Sequence, residues 1–232
     1  MNAPSDYDDF AERYAAGIDD RAWNALYERP STLALLPSVQ GKDILDAGCG
    51  NGWYAEWLVL NGGRVVGVDR SARMVELATK RLGSKARLVQ ADVSDLRGVL
   101  ADASVDIVLS SLVLHYVPDL RRTFLEWARI LRPGGTMVFS THHPVRETSV
   151  AEHGYLHAEI VEEPWRWLGM KMRYYHRPLR DLTEPMAEAG FVIERICEPT
   201  PSAALRARDP KGYDRLCRVP AFIFMRARKD RS

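Results

Sequence analysis

The run Asp46-Ala47-Gly48-Cys49-Gly50-Asn51-Gly52 places an acid just before three glycines at alternate positions. Glycine lets a ligand approach the backbone closely and tolerates left-handed turns. A loop that cradles a dinucleotide pyrophosphate reads G-x-G-x-x-G/A. Counted from Gly48, the last position of that pattern is Trp53, and Asp46 would repel a phosphate. The acid suits a ligand that lacks phosphate and carries positive charge. Two further acids, Asp69 and Asp92, each follow a short apolar run. A carboxylate can accept both hydrogens of a ribose diol at the first position, and an exocyclic amino hydrogen at the second. Singly, each acid reads equally well as a cap or turn residue; the three at successive strand ends point to a ligand. Imidazoles with a pKa of about 6.5 can take a proton at neutral pH. His115 and the adjacent pair His142-His143 supply three candidates. His143 ranks first as a base because Pro144 holds it extended, then His142 and His115. His153, His157 and His176 lack the fixed spacing of a metal site, so none is expected.

The elements that must position these groups alternate in type. Asp43 to Ala47, Arg64 to Val68, Ala86 to Gln90, Val105 to Leu109 and Thr136 to Ser140 read as strands. Between them lie helical patterns: one from Trp53 to Leu60, one capped by Ser71 with Met74, Leu77, Ala78 and Leu82 inward, and one capped by Asp119. Strands separated by helices make right-handed βαβ units and a mostly parallel sheet, whose ligands sit at the carboxyl ends of the strands. Residues 6–36 read as helical and aromatic. Residues 146–176, rich in aromatics and His, interrupt the rhythm. After them come a helix over 179–189, a strand over 191–197, a loop with a short helix over 199–219, and a last strand over 221–227.

In order along the chain, Ile44-Leu45-Asp46-Ala47-Gly48-Cys49-Gly50-Asn51-Gly52, Val65-Val66-Gly67-Val68-Asp69, Ala91-Asp92 and Leu131-Arg132-Pro133-Gly134-Gly135 resemble the motifs of class I S-adenosylmethionine (SAM) dependent methyltransferases of the bacterial small-molecule type. Adenine, ribose and a cationic amino-acid moiety are also what the three acids ask for. The resemblance implies an α/β, Rossmann-like fold: a seven-stranded, mostly parallel sheet with the last strand antiparallel and helices on both faces. It implies one domain over 1–232, with a helical lid over 1–40, a SAM-binding core over 41–145, an inserted substrate cap over 146–177 and the rest of the core over 178–232. It implies that Asp46 and the loop Gly48, Cys49, Gly50 and Gly52 meet the methionine part of SAM, Asp69 the ribose, and Asp92 with Val93 the adenine. Arg70 and Met74 would flank the adenosine, and Ser110 would face the methionine through its backbone. Tyr14, with Tyr7 second, matches an N-terminal aromatic that reaches over the cofactor.

Composition narrows the partners. At 232 residues and 46% hydrophobic, the chain can bury a core without disulfides. Lys+Arg 32 against Asp+Glu 31 gives a net charge of +1, which argues against tracking along phosphates. Three cysteines make no disulfide framework. The N-terminal residues carry no apolar signal segment, and no run approaches the roughly 18 apolar residues of a membrane helix. The expectation is a cytoplasmic enzyme that methylates O, N or C of a small hydrophobic or aromatic acceptor, without nucleic-acid or membrane partners. Two alternatives stay open: methylation of RNA or protein, and a SAM-binding protein that transfers no methyl group.

Overall fold

The computed structural model describes residues 7–146, 148 and 151–230. The outermost residues of the expected lid and tail, and three positions at the start of the expected cap, lie outside this range. In chain order the elements are α1 (Ala11–Ile18), α2 (Arg29–Leu33), β1 (Asp43–Ala47), α3 (Trp53–Leu60), β2 (Arg64–Asp69), α4 (Ala72–Leu82), β3 (Arg87–Gln90), β4 (Val105–Ser111), α5 (Leu120–Ile130), β5 (Leu131–His142), β6 (Glu159–Trp165), β7 (Met170–His176), α6 (Arg180–Glu188), β8 (Phe191–Cys197), α7 (Ala203–Arg208), α8 (Pro210–Leu216) and β9 (Phe222–Lys229). Among the described residues no helix is long and apolar enough to cross a membrane.

Seven strands form one sheet in the order β3-β2-β1-β4-β5-β9-β8. The first five are mutually parallel, and β9 runs antiparallel to both neighbours. The chain reverses outward between β1 and β4, and at such a switch point the strand ends open a crevice. Helix starts are fixed locally. Ser71 accepts from the Met74 amide at 3.1 Å and Asp119 from the Arg122 amide at 2.9 Å, each satisfying an orphan donor of the first turn. One face of the sheet packs on Phe124, Trp127 and Met186; the other packs on Tyr27, Tyr54 and Leu58. Trp127 is fully buried and donates its indole N–H to the Val93 carbonyl at 3.0 Å. Truncating Phe124, also fully buried, should cost about 3–5 kcal/mol.

Two segments differ from the sequence expectation, and a third, whose form the sequence leaves open, is a hairpin. The stretch over 199–219 holds two helices rather than one, because both Ser202 and Asp209 cap, accepting from the Leu205 and Gly212 amides. The N-terminal stretch is not one helical run. After α1 it breaks, then winds through a π-helical turn, Asn24–Glu28, into α2. Residues 159–176 form a separate antiparallel hairpin, β6-β7, with its own small core of Val161, Leu168, Met172 and Tyr174. Phe10, Tyr7 and Tyr14 pack on that same core, so the N-terminal segment and the hairpin make one roof.

Candidate active site

A cavity of about 790 Å³ opens at the carboxyl ends of β1, β2, β4 and β5, beneath that roof. Its floor begins with the glycine loop. Gly48, Gly50 and Gly52 all have left-handed φ, at +78°, +52° and +84°. The amides of Gly48 and Cys49 both donate to the Val68 carbonyl, tying the loop to β2. The three glycines have different surroundings. A Cβ on Gly50 would meet nothing within 4 Å, so this position faces open cavity. A Cβ on Gly48 would lie 2.2 Å from Val113 Cγ2, and one on Gly52 2.7 Å from Leu82 Cδ1. Gly52 therefore serves the packing of α3 on α4 and does not line the cavity.

The acids occupy three different settings. Asp69 lines the cavity, accepting from the Gly50 amide on Oδ2 at 2.8 Å and from the Ser71 amide on Oδ1 at 2.9 Å. Burial nonetheless pushes its carboxyl upward. Each of its oxygens keeps a lone pair for a ligand hydroxyl. Asp92 is exposed at the cavity edge, its Oδ1 taken by the Ser94 amide and hydroxyl. Asp46 lies beneath the loop and outside the lining, 1% exposed. Its Oδ2 has no hydrogen-bond partner among the described residues. Burial and the neighbouring Asp69 charge raise its pKa to about 7. An orphaned, buried acid oxygen under a left-handed glycine loop fits a cationic ligand group close by.

The other expected cofactor residues are also distributed by the fold. Cys49, Arg70, Met74, Val93 and Tyr14 line the cavity. Ser110 does not: it is fully buried and its hydroxyl donates to the Ala47 carbonyl at 2.9 Å. Alternation along β4 turns Ser111 to the cavity instead. Tyr7 also lines it and donates its hydroxyl to that of Tyr116 at 3.0 Å.

The histidines separate along the same logic. His115 and His142 line the cavity and stack on each other. His115 Nδ1 lies 3.2 Å from Thr141 Oγ1. Burial drives both imidazoles well below their usual pKa, and the Arg146 charge lowers them further. His143, expected to rank first, does not line the cavity. Its Nδ1 accepts from the Val145 amide, which leaves Nε2 to donate to Glu198 at 2.7 Å. Adjacent residues at a strand end point to opposite sides, and His142 holds the inner position.

Four groups at the cavity went unread in the sequence. Glu28 is buried beside Tyr54, and Arg146 pairs with Glu163, which also accepts from Tyr174. Glu28 sits inside a helical stretch with no motif around it, so only its placement reveals it. Away from the cavity, Glu152, His153 and Glu159 bring ligand atoms within 4.8 Å of one another, and two of the three residues are exposed.

Residues 45–139 match a family described as a methyltransferase domain. A malonyl-acyl-carrier-protein O-methyltransferase of Pectobacterium atrosepticum is 38% identical over 130 residues, which is 55% of this chain and 49% of that protein. A ubiquinone biosynthesis O-methyltransferase of Coxiella burnetii is 32% identical over 105 residues, 45% of either protein. The chain thus matches about half the length of these two curated relatives. The solved structure of a SAM-dependent methyltransferase from Mesorhizobium loti is similar throughout. It has a TM-score of 0.76 and 31% identity, over 92% of this chain and 100% of that one.

Proposed function

The chain belongs to the class I SAM-dependent methyltransferases, and from that premise we propose that it methylates an oxygen, nitrogen or carbon atom of a small, largely apolar acceptor. The observation that carries this reading is one shared cavity. The glycine loop and Asp69 open on it from one side, and the neutral pair His115 and His142 from another, under an aromatic roof. Its volume of about 790 Å³ is at the large end of the roughly 300–1,000 Å³ of small-molecule sites, leaving space for cofactor and acceptor together.

SAM supplies an electrophilic methyl group on a sulfonium, activated before it meets the protein. The protein's task is then to align a nucleophile in line and to keep water out, because the sulfonium charge is dispersed, or cancelled by an anionic nucleophile, in the transition state. Gly50 offers backbone without a side chain. Asp69 would accept from the ribose hydroxyls, and Asp92 with Val93 would meet the adenine edge. Tyr14 and Tyr7, hung from the roof, would close over the cofactor. An imidazole kept neutral by burial has a ring nitrogen free to take a proton from a hydroxyl or amine nucleophile, as a weaker base than a solvated imidazole. The aromatic lining of Trp53, Trp165 and Trp167 suits an acceptor with an apolar or aromatic body. The two relatives act on oxygen, which supports a heteroatom acceptor over carbon.

The test is an S-adenosylhomocysteine (SAH) release assay against matched phenols, amines, carboxylates and sugars, with the product identified by mass. Turnover of a small apolar acceptor is the expected result. SAM binding without SAH release from any acceptor would favour a SAM-binding protein that transfers nothing.

A further inference from the structure

Glu28 is 1% exposed yet contributes to the cavity wall. Its carboxylate is held by hydroxyls. Oε1 accepts from Ser140 at 2.6 Å, Ser111 at 2.8 Å and Thr32 at 2.8 Å. Oε2 accepts from Tyr54 at 2.9 Å. Among the described residues no basic side chain forms an ion pair with it. The adjacent Arg29 is spent elsewhere: it donates to the Asp19 and Ile18 carbonyls and lies over the Trp53 ring. Other cavity acids are compensated differently, Glu163 by Arg146 and Asp69 by two backbone amides.

A buried carboxylate surrounded only by neutral donors is solvated but lacks counter-charge. The fold maintains it with local departures from regular structure. Glu28 ends the π-helical turn, and such turns concentrate at functional sites. Its partner Ser140 also accepts the amide of Leu112, a non-glycine residue at φ +55°. Strain of that kind persists where surrounding structure over-determines it. Leu112 follows Ser111 at the end of β4 and leads toward His115, so Glu28 is coupled to the wall where the acceptor is expected. Oε2, with one donor, retains a lone pair.

We propose that Glu28 is the recognition point for a nitrogenous acceptor, an amine that donates N–H to Oε2 and supplies the missing positive charge. The proposal rests on the reading of this cavity as a methyltransferase acceptor site, and it narrows that reading to amines on an apolar or aromatic body. Carboxylate acceptors are repelled by the same group.

Benzylamine, benzyl alcohol and benzoate, titrated by calorimetry or NMR into protein saturated with SAH, test this directly. Benzylamine should bind best, with benzoate at least about tenfold weaker. Glu28→Gln keeps the shape and one acceptor oxygen for the surrounding hydroxyls and removes the negative charge. It should weaken benzylamine about tenfold, to the level of benzyl alcohol, while SAH affinity stays within about twofold. Benzoate binding as well as benzylamine, no binding of any of the three, or an indifferent Glu28→Gln variant each overturns the proposal. If the variant does not fold, the wild-type order alone decides. If SAH fails to bind, the methyltransferase reading falls, and the titration on cofactor-free protein still judges Glu28.

Discussion

The imidazole rings of His115 and His142 lie face to face, 3.7 Å between centroids and 7° from parallel. Two protonated rings could not be held so, and burial keeps both neutral. In the unfolded chain each would take a proton near its ordinary pKa of about 6.5. Between that pH and the lower folded values the unfolded state binds more protons, so acidification favours unfolding. The stability this pair contributes should be full above about pH 6.5 and fall steadily below it, against the opposite and smaller trend of the single Asp46 carboxyl, which burial raises to about 7. Urea midpoints from pH 8 to pH 5 measure this. His142→Phe, which keeps a ring on the Tyr174 and Phe222 contacts, should flatten the slope. An unchanged slope would place the titrating groups elsewhere.

The same pair should carry proton removal. With an acceptor in hand, His115→Ala and His142→Ala should each lower kcat, by up to the roughly 10²- to 10⁴-fold worth of general-base assistance. His143→Ala, which loses the Glu198 and Val145 contacts outside the cavity, should stay near wild type. A large loss at His143 with none at the stacked pair would reverse this assignment.

Much of this arrangement was legible before any coordinates. The βα rhythm located β1 to β5, because strand and helix periods differ and Ser71 and Asp119 mark helix starts. Of the ordered acids and glycines, Gly48, Gly50, Asp69 and Asp92 line the cavity, while Asp46 and Gly52 lie behind its wall. What escaped depends on side-chain direction and on contacts between distant segments. Ser110 and Ser111 are chemically alike, and only the pleat of β4 decides which side chain faces the cavity. His142 and His143 differ in the same way. Glu28 meets Ser111 and Ser140 across 83 and 112 residues of chain, a relation no local pattern carries. The π-helical turn that delivers it is equally unmarked in the sequence.

The glycines make a paired test. Gly50→Ala should leave a folded protein, since its Cβ meets nothing, with a cost of about 1 kcal/mol for the left-handed backbone. Its SAH affinity should fall sharply, because that space is where the ligand backbone contact belongs. Gly48→Ala meets Val113 and should lower the melting temperature even without ligand. Melting curves and calorimetry on both variants separate the two roles. Normal SAH binding in Gly50→Ala would remove Gly50 from the site.

Asp46 should report the cofactor through its proton. With its pKa raised to about 7 by burial and the Asp69 charge, it is largely protonated at pH 6. A cationic group arriving beside it favours the carboxylate, so SAM binding should release a proton at pH 6 and very little at pH 8.5. Binding enthalpies in buffers of different ionisation enthalpy measure that release. Asp46→Asn should abolish it. Equal enthalpies in all buffers at pH 6 would show that no charge lands near Asp46.

The roof should close with the ligand. Residues 7–18 rest on the β6-β7 hairpin through Phe10, through Tyr14 against Trp167 and through Arg13 to the Leu168 carbonyl. The segment is also tied to α4, through Asp8 to the Ser71 hydroxyl and the Arg73 amide and through the exposed Glu12–Arg73 pair; surface ties of that kind are weak, so the segment can open at lower cost than the core. Tyr7 and Tyr14 line the cavity, and a bound cofactor would add contacts to the closed state alone, shifting the population toward it. Trypsin cleavage after Arg13 and Arg21 should therefore slow about tenfold in saturating SAH, as expected for a locally opening segment stabilised by a ligand. Lys85, exposed and away from the cavity, is the internal control and should be cut at a rate that changes much less. Equal slowing at all three sites would mean that SAH stabilises the whole domain, and an unchanged rate at Arg13 and Arg21 would mean that the N-terminal segment is a fixed wall of the cavity.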